Sequence, residues 1–593
     1  MWPFNARTKY PAISVEQAGT LLQTTEHCKS LSAVTYDYIV VGGGTAGCCL
    51  AARLSEDPSV SVLVLERGGV HDIWSSRIPL ISSNPTDKSN PIFRSPSAPL
   101  EAAEGQIVDI IHAQTLGGGS SVNGLLVTRG AVGDFDNWAA LGHPSWDYAS
   151  LNPYFIKSEK SLSHHSNDRG YSGPWVNQTV TDLPFKVQRK VKDAAIAFGL
   201  ADVTNLNSPT IPVDVCAMVD AAIDEDRRRV STYHAFLPAE TVQKRRDHLK
   251  ICINAVATRI RLDAGVAVGV EFGSSQLTEE PVAHTYYAQA RKEIVICCGA
   301  LGSPQLLLLS GIGRKEDLDE HGIETAVDLP GVGAHLQDHA GLPIMYEVPL
   351  EDTMLHIANS AWKGLLEFGK YMFARKGMLG SIVSPLTIFA HSSHLDEKTA
   401  KVISPIPAAA PGSNRPDLEI MPIAYWCAEA PPYKIKIGVF SFLLCVVQPK
   451  SLGSVRLASR DPHARPIVDL GFLSNPEDFV LFRKGVTLAL RLAEEVHRQG
   501  YPMKKLQVPT SESKSDVDDY IRANIRTCYH YASTCRMARR EDGGVVNDEL
   551  EVYGVRGLRV CDTSVFPCIT SSHTMAPAVV VAEKCADMMK KRM

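Results

Sequence analysis

Along the chain, apolar and polar positions sort into short buried runs, amphipathic stretches and glycine-punctuated turns. Tyr38-Ile39-Val40-Val41 is a β-branched and aromatic run, which predicts a buried strand. Ala46 to Leu54 is rich in helix formers, and Ser61 to Leu65 predicts a second buried strand. Between the first strand and the helix stands Gly42-Gly43-Gly44-Thr45-Ala46-Gly47, which contains G-x-G-x-x-G. Gly42 permits a tight turn, Gly44 lets a diphosphate approach the backbone, and Gly47 lets the helix pack closely on the strand. The free N–H groups at the helix start, around Thr45 and Ala46, point at the phosphates in such a unit. Glu66 ends the second strand 19 residues after Gly47, where a carboxylate accepts hydrogen bonds from an adenosine ribose; Arg67 follows it. A glycine loop in an ordinary α/β turn does not account for Glu66. The ordered set therefore predicts adenine-dinucleotide binding, without separating FAD from NAD.

Further along, residues 70 to 104 are rich in Pro and Ser and predict a long loop; Trp74 within it is a pocket candidate or a loop anchor. Residues 232 to 246 are compatible with helix, and His248 to Ile260 alternates like a strand. Glu293 to Cys298 predicts another buried strand, running into Gly299 and a helix with Pro304 near its first turn and Gly311 after its end. Between 350 and about 515, strands are expected at Ile420 to Trp426, Val439 to Gln448 and Ser454 to Ala458, and a helix at Asp478 to Arg498. Tyr425, Trp426, Tyr433, Phe440 and Phe442 are pocket candidates there, with core packing the more ordinary role for each. Thr574 to Met589 predicts a helix, with Pro577 in its first turn.

Composition narrows the class. A chain of 593 residues exceeds one simple core and predicts two or more domains. Its 45% hydrophobic and 21% charged content is that of a globular protein. A net charge of −5 and a pI near 6.4 argue against nucleic-acid binding. Arg227-Arg228-Arg229 and Lys244-Arg245-Arg246 are too short to change that and read as solvated faces. No apolar run reaches the roughly 18 residues of a membrane span, so no membrane association is expected. The N-terminus lacks the apolar core of a signal peptide, which predicts a cytoplasmic location, and a leader removed before Met1 leaves a secreted mature form open. The 14 cysteines form no C-x-x-C pair, and free buried thiols are expected.

Leu116-Gly117-Gly118-Gly119-Ser120-Ser121-Val122-Asn123-Gly124 exposes backbone N–H groups suited to an anion or a flat ring. With this block, the Gly299 to Gly313 segment, Leu329 to His339, Cys528 to Met537 and Gly557 to Thr574, the chain resembles the glucose–methanol–choline (GMC) oxidoreductases, FAD enzymes that oxidise alcohols. The resemblance spans roughly Tyr36 to Met589. It implies an α/β fold, α+β overall: a Rossmann-like FAD-binding domain interleaved with a substrate domain built on an antiparallel sheet with helices. The expected segments are an extension over 1–35, FAD-binding parts over 36–150, 226–349 and 520–593, a substrate or cap segment over 151–225 and a substrate domain over 350–519.

The resemblance also assigns roles. Leu116, Gly118, Ser120, Asn123 and Gly124 lie against the flavin, with Asn123 approaching the isoalloxazine. Some members attach FAD through a His at the place of Val122, so non-covalent FAD is expected here. His112-Ala113 stands where many members have Arg-Gly. The backbone of Val256 meets the adenine, Gly299 opens the second signature, and Asp562 lies near the ribityl and diphosphate. Thr574 and Met575 bring the positive end of a helix dipole to the flavin. His335 and His339 stand at i, i+4, but no Glu follows His335 and no third ligand is evident, so no metal is expected.

Members carry a His in the first C-terminal motif and a His or Asn in the second, matching His530 and His573, 43 residues apart. Alcohol oxidation needs a base for the O–H proton while hydride leaves to flavin N5, and imidazole titrates near neutral pH. His530 is expected to be the base, His573 its hydrogen-bonding partner, and Tyr529 a pocket border. Tyr531 and Ser533 replace the smaller or cyclic residues of most members and narrow the site. The implied reaction takes a small-molecule primary alcohol, with aromatic and secondary-metabolite alcohols as candidates, to an aldehyde, with oxygen or another electron acceptor closing the cycle. A non-redox lyase or cyclase using the same His pair, a flavoprotein without turnover and an NAD enzyme are the alternatives.

Overall fold

The computed structural model describes residues 10–22, 33–275, 284–403, 415–427 and 435–592; Tyr433 and most of the N-terminal extension lie outside the described residues. Val34–Val41 runs parallel to Val62–Leu65 on one side and to Tyr286–Ile296 on the other. Leu249–Cys252 extends the sheet beyond Val62–Leu65, and Leu558–Val560 adds in parallel to Tyr286–Ile296. Val266–Ser274 and Ala255–Asp263 continue it antiparallel. One sheet is thus assembled from three distant stretches of chain. The predicted strand over His248 to Ile260 is two strands: Asn254 takes a left-handed φ of 56° between them.

Helices Thr45–Leu54 and Met575–Lys590 pack together on this sheet. Glu583, fully buried on the second, takes two hydrogen bonds from Arg53 Nε at 2.9 and 3.0 Å and one from Nη2 at 2.7 Å. Gly47 is required where the first helix meets the strand: a Cβ there would stand 1.9 Å from the Gly42 carbonyl oxygen.

The second sheet runs in the order Lys504–Gln507, Ala340–Val348, Gly438–Val446, Leu418–Ile423, Leu386–Ala390, Val215–Met218 and Ala201–Val203. All its pairings are antiparallel except the last, and Arg526–Thr527 pairs with the start of Ala340–Val348. The pleat divides its faces. Leu418, Ile420, Phe442 and Leu444 join Phe482 and Val486 of helix Glu477–Arg498 in one core. Met421, Ile423 and Cys445 join the core of the first sheet instead. That alternation is what a strand period of two produces when both faces are covered.

Two expectations change. Ala340–Val348, placed with the nucleotide-binding segment 226–349, is a strand of the second sheet, to which the substrate and cap segment 151–225 also supplies Ala201–Val203 and Val215–Met218. The expected loop over 70–104 contains a 3-10 turn at Trp74–Arg77, a short helix at Pro79–Ser82 and a strand, Ile92–Pro96, paired with Asp109–Ala113. The described cysteines are free thiols. Among the described residues, no helix is long and apolar enough to cross a membrane.

Candidate active site

A cavity of about 630 Å³ lies between the two sheets. Gly42 opens it by turning the chain at φ 102°; a Cβ there would stand 2.4 Å from the Cys297 carbonyl oxygen. Gly118, at φ 51°, stacks its backbone on Gly44, where a Cβ would come within 2.9 Å of the Gly44 Cα. The Gly117 N–H donates to the Gly43 carbonyl at 2.7 Å and ties the two glycine loops together. Glu66 Oε2 accepts the Gly43 N–H at 2.8 Å, and Oε1 accepts that of Gly68 at 2.7 Å. Burial pushes this carboxyl up, and the two N–H groups oppose the shift.

Thr45, Ala46, Arg67, Ser120, Gly124 and Val256 also line the cavity. Gly47 and Leu116 do not: Gly47 is the helix contact already described, and Leu116 is buried beneath Gly43. Asp562 holds the second glycine turn, accepting from the Gly299 N–H at 2.9 Å, Ser303 Oγ at 2.6 Å and the Ser564 N–H at 2.8 Å. Thr574 and Met575 bring the start of the 16-residue C-terminal helix to the wall.

Asn123 is held by Arg229, which sequence reasoning placed on a solvated face. Arg229 is 1% exposed. Its guanidinium donates to Ser82 Oγ and Ser83 Oγ at 2.8 Å, to the Ser120 carbonyl and Asn123 Oδ1 at 2.9 Å, and to the Asn123 carbonyl at 2.6 Å. Burial without a carboxylate partner pulls its pKa down to about 9. Asn123 Nδ2 in turn points at Met575 Sδ, 3.0 Å away.

At the other end of the cavity four side chains form a line. His339 Nε2 lies 3.0 Å from the Thr570 carbonyl, and His339 Nδ1 lies 2.9 Å from His530 Nδ1. His530 Nε2 lies 3.1 Å from His573 Nδ1, and His573 Nε2 lies 3.1 Å from Glu419 Oε1. The rings of His530 and His573 stand edge to face with centroids 4.7 Å apart. A carbonyl only accepts, so His339 carries its proton on Nε2 and offers a lone pair at Nδ1. His530 then donates from Nδ1 and keeps the lone pair of Nε2, the atom of a general base. Asp338 fixes the backbone, accepting the His530 N–H at 2.7 Å and the Thr527 hydroxyl.

Burial, and then the neighbouring His573 and His339, hold His530 well below the ordinary histidine range. Burial would raise Glu419, but the His573 charge and the hydrogen bonds from His573 and Thr387 outweigh it and hold the carboxyl below its usual value. Glu419 and His339 escaped sequence reasoning as site residues. The available signal was an acid inside the apolar run Leu418-Glu419-Ile420-Met421.

Tyr529 lies at the cavity wall, 42% exposed, and Tyr531 lines it with its hydroxyl accepting the Ile111 N–H at 3.3 Å. The other aromatic candidates lie elsewhere. Trp74 is 47% exposed and packs edge-on against Phe368. Tyr425 and Trp426 pack beside Met345 and Val439, and Phe440 and Phe442 face the opposite core. Val383, Met421, Ile423 and Leu443 form the wall there. The i, i+4 histidines diverge: His335 lies against Gly543, while His339 meets His530.

A cleft with a dinucleotide cradle at one end and paired imidazoles at the other defines an enzyme that works beside a bound dinucleotide cofactor. The GMC oxidoreductase family models match residues 36–341 and 449–582, and the chain belongs to that family. It is 32% identical to Dehydrogenase str4 of Strobilurus tenacellus, over 94% of each chain. It is 30% identical to the oxygen-dependent choline dehydrogenase of Rhizobium etli, over 93% of this chain and 95% of that one. An FAD-dependent oxidoreductase from Chaetomium thermophilum superposes with a TM-score of 0.80 at 26% identity, covering 94% of this chain and 99% of that one. The protein is an FAD-dependent GMC-type oxidoreductase.

Proposed function

We propose that the protein oxidises a primary alcohol to an aldehyde, with His530 as general base and His573 as hydrogen-bonding partner of the substrate hydroxyl. The carrying observation is the line His339–His530–His573–Glu419, which leaves the His530 Nε2 lone pair at the cavity. A hydroxyl inserted between the two rings gives its proton to His530 Nε2. His573, oriented by Glu419, shares the charge that develops on oxygen.

The cleft fits FAD. Gly42 and Gly118 make a cradle that side chains would fill, Glu66 presents a buried carboxylate where a ribose is expected, and the C-terminal helix directs its positive end inward. Bound FAD supplies a two-electron acceptor for the hydride that leaves the carbinol carbon. Val122 lines the cavity and has no nucleophilic atom, which supports non-covalent retention. Oxygen or another acceptor then closes the cycle.

Anaerobic mixing with a panel of primary alcohols tests this reading. Bleaching of the flavin band with aldehyde formation supports it. Turnover without bleaching means lyase or cyclase chemistry at the same histidines, and no bleaching with any alcohol removes it.

A further inference from the structure

Arg526 stands on the cavity wall, and neither proton transfer nor cofactor retention uses it. Arg526 opens the two-residue strand that pairs with Ala340–Gly341. Gly341 leaves the room its stem occupies: a Cβ there would lie 2.9 Å from Cys528 Sγ, 3.3 Å from Arg526 Cγ and 3.5 Å from Leu443 Cδ1. Arg526, Cys528 and Leu443 all line the cavity, beside His530. The sheet wall around them is otherwise apolar, made of Met421, Ile423 and Leu443.

The Arg526 side chain forms no hydrogen bond or ion pair with any described residue, and its Nε is buried without a partner. Cys427 feels its charge but is no counter-ion: burial pushes that thiol up to about 11. Arg229 shows the contrast, with its guanidinium fully occupied. A half-buried guanidinium without an acceptor is costly. Its planar fork matches a carboxylate in two parallel hydrogen bonds.

Resting on the alcohol-oxidising reading, we propose that Arg526 is a specificity residue that binds a carboxylate on the substrate, so that the preferred substrate is a hydroxy acid with its carboxylate at the end remote from the oxidised carbinol. The apolar wall takes the hydrocarbon between the two groups. The redox step is unchanged: one proton goes to His530, one hydride to the bound cofactor, and the carboxylate leaves as it entered.

Binding is measured first, because it needs no turnover. The holoenzyme is titrated with benzoate and hexanoate and with their neutral amides, following the flavin absorption band and the heat of binding. At least one acid is expected to bind tenfold or more tighter than its amide, and Arg526→Gln to abolish that difference while FAD content stays constant. Arg526→Lys, which keeps the charge without the fork, is expected to retain part of it. In turnover, the kcat/KM ratio of 4-(hydroxymethyl)benzoate to benzyl alcohol is expected to fall at least tenfold in Arg526→Gln, chiefly through KM. Acids that bind no better than their amides in the wild-type enzyme overturn the proposal, as does a preference that survives Arg526→Gln. Arg526-dependent binding of an acid without bleaching by any alcohol would support the carboxylate site and reject the oxidation reading.

Discussion

Glu419 Oε1 lies 3.1 Å from His573 Nε2, and the carboxylate is 1% exposed. Thr387 Oγ1 donates a 2.8 Å hydrogen bond to the same oxygen. The acid therefore orients the His573 ring and favours positive charge on it as the hydroxyl between the rings loses its proton. Glu419→Gln keeps the size and removes the charge. Flavin reduction by benzyl alcohol is expected to slow by roughly 10²-fold, with FAD still bound. Stopped-flow absorbance under anaerobic conditions measures it; an unchanged rate would remove Glu419 from the mechanism.

His530 is the base, so His530→Ala is expected to slow flavin reduction by about 10²–10⁴-fold without loss of FAD. The pH profile carries a sign. Burial and the two flanking histidines lower the His530 pKa, so its lone pair stays available below the ordinary histidine value near 6.5. The kcat/KM profile is expected to stay flat from pH 8 through that value and to fall only at more acid pH. A midpoint at or above the ordinary value would show that His530 is not the titrating base.

Much of this site was legible because its signals are local. The strand, the Gly42 turn, the Thr45–Leu54 helix and Glu66 follow from pattern and turn chemistry within about thirty residues. His530 and His573 were legible through family motifs, not through periodicity. What was hidden depends on partners far along the chain. Glu419 meets His573 across 154 residues, and no pattern at either end announces the pair. Which aromatic candidates face the cavity was not legible, because the pleat and not hydrophobicity decides it: Leu443 faces it, whereas Phe442 takes the core-packing role that was its more ordinary expectation. Arg229 was read with its two neighbours as one run, yet Arg228 pairs with Asp226 near the surface while Arg229 turns inward.

Arg229 organises the loop expected against the flavin, with five hydrogen bonds to neutral oxygens. Arg229→Met fills similar volume but strands those acceptors. A stability loss of about 1–3 kcal/mol is expected, the cost of leaving buried acceptors without their donor. Asn123 also loses its anchor, so the purified variant is expected to hold less flavin per chain. The flavin-to-protein absorbance ratio and the urea midpoint report the two effects. Full flavin occupancy at wild-type stability would contradict the organising role.

His339 makes acid stability a further test. Burial holds its pKa near about 4, against the opposing pull of Glu419. In the unfolded chain the same group titrates near about 6.5. Above that value neither state binds the proton, and stability is fully present. As pH falls, the unfolded chain takes the proton first, so stability is lost down to the folded pKa. At roughly 1.4 kcal/mol per pH unit, His339 alone removes about 2 kcal/mol between pH 6.5 and 5. His112, also held at about 4 by burial and then by Arg465 and Arg67, adds a loss of the same sign. Urea midpoints of the holoenzyme at these two pH values measure the combined slope. His339→Gln removes one titrating group, so its stability is expected to fall by about 2 kcal/mol less over the same interval. An equal fall in variant and wild type would mean that His339 is protonated in the folded state, and the donor order assigned to the histidine line would have to be reversed.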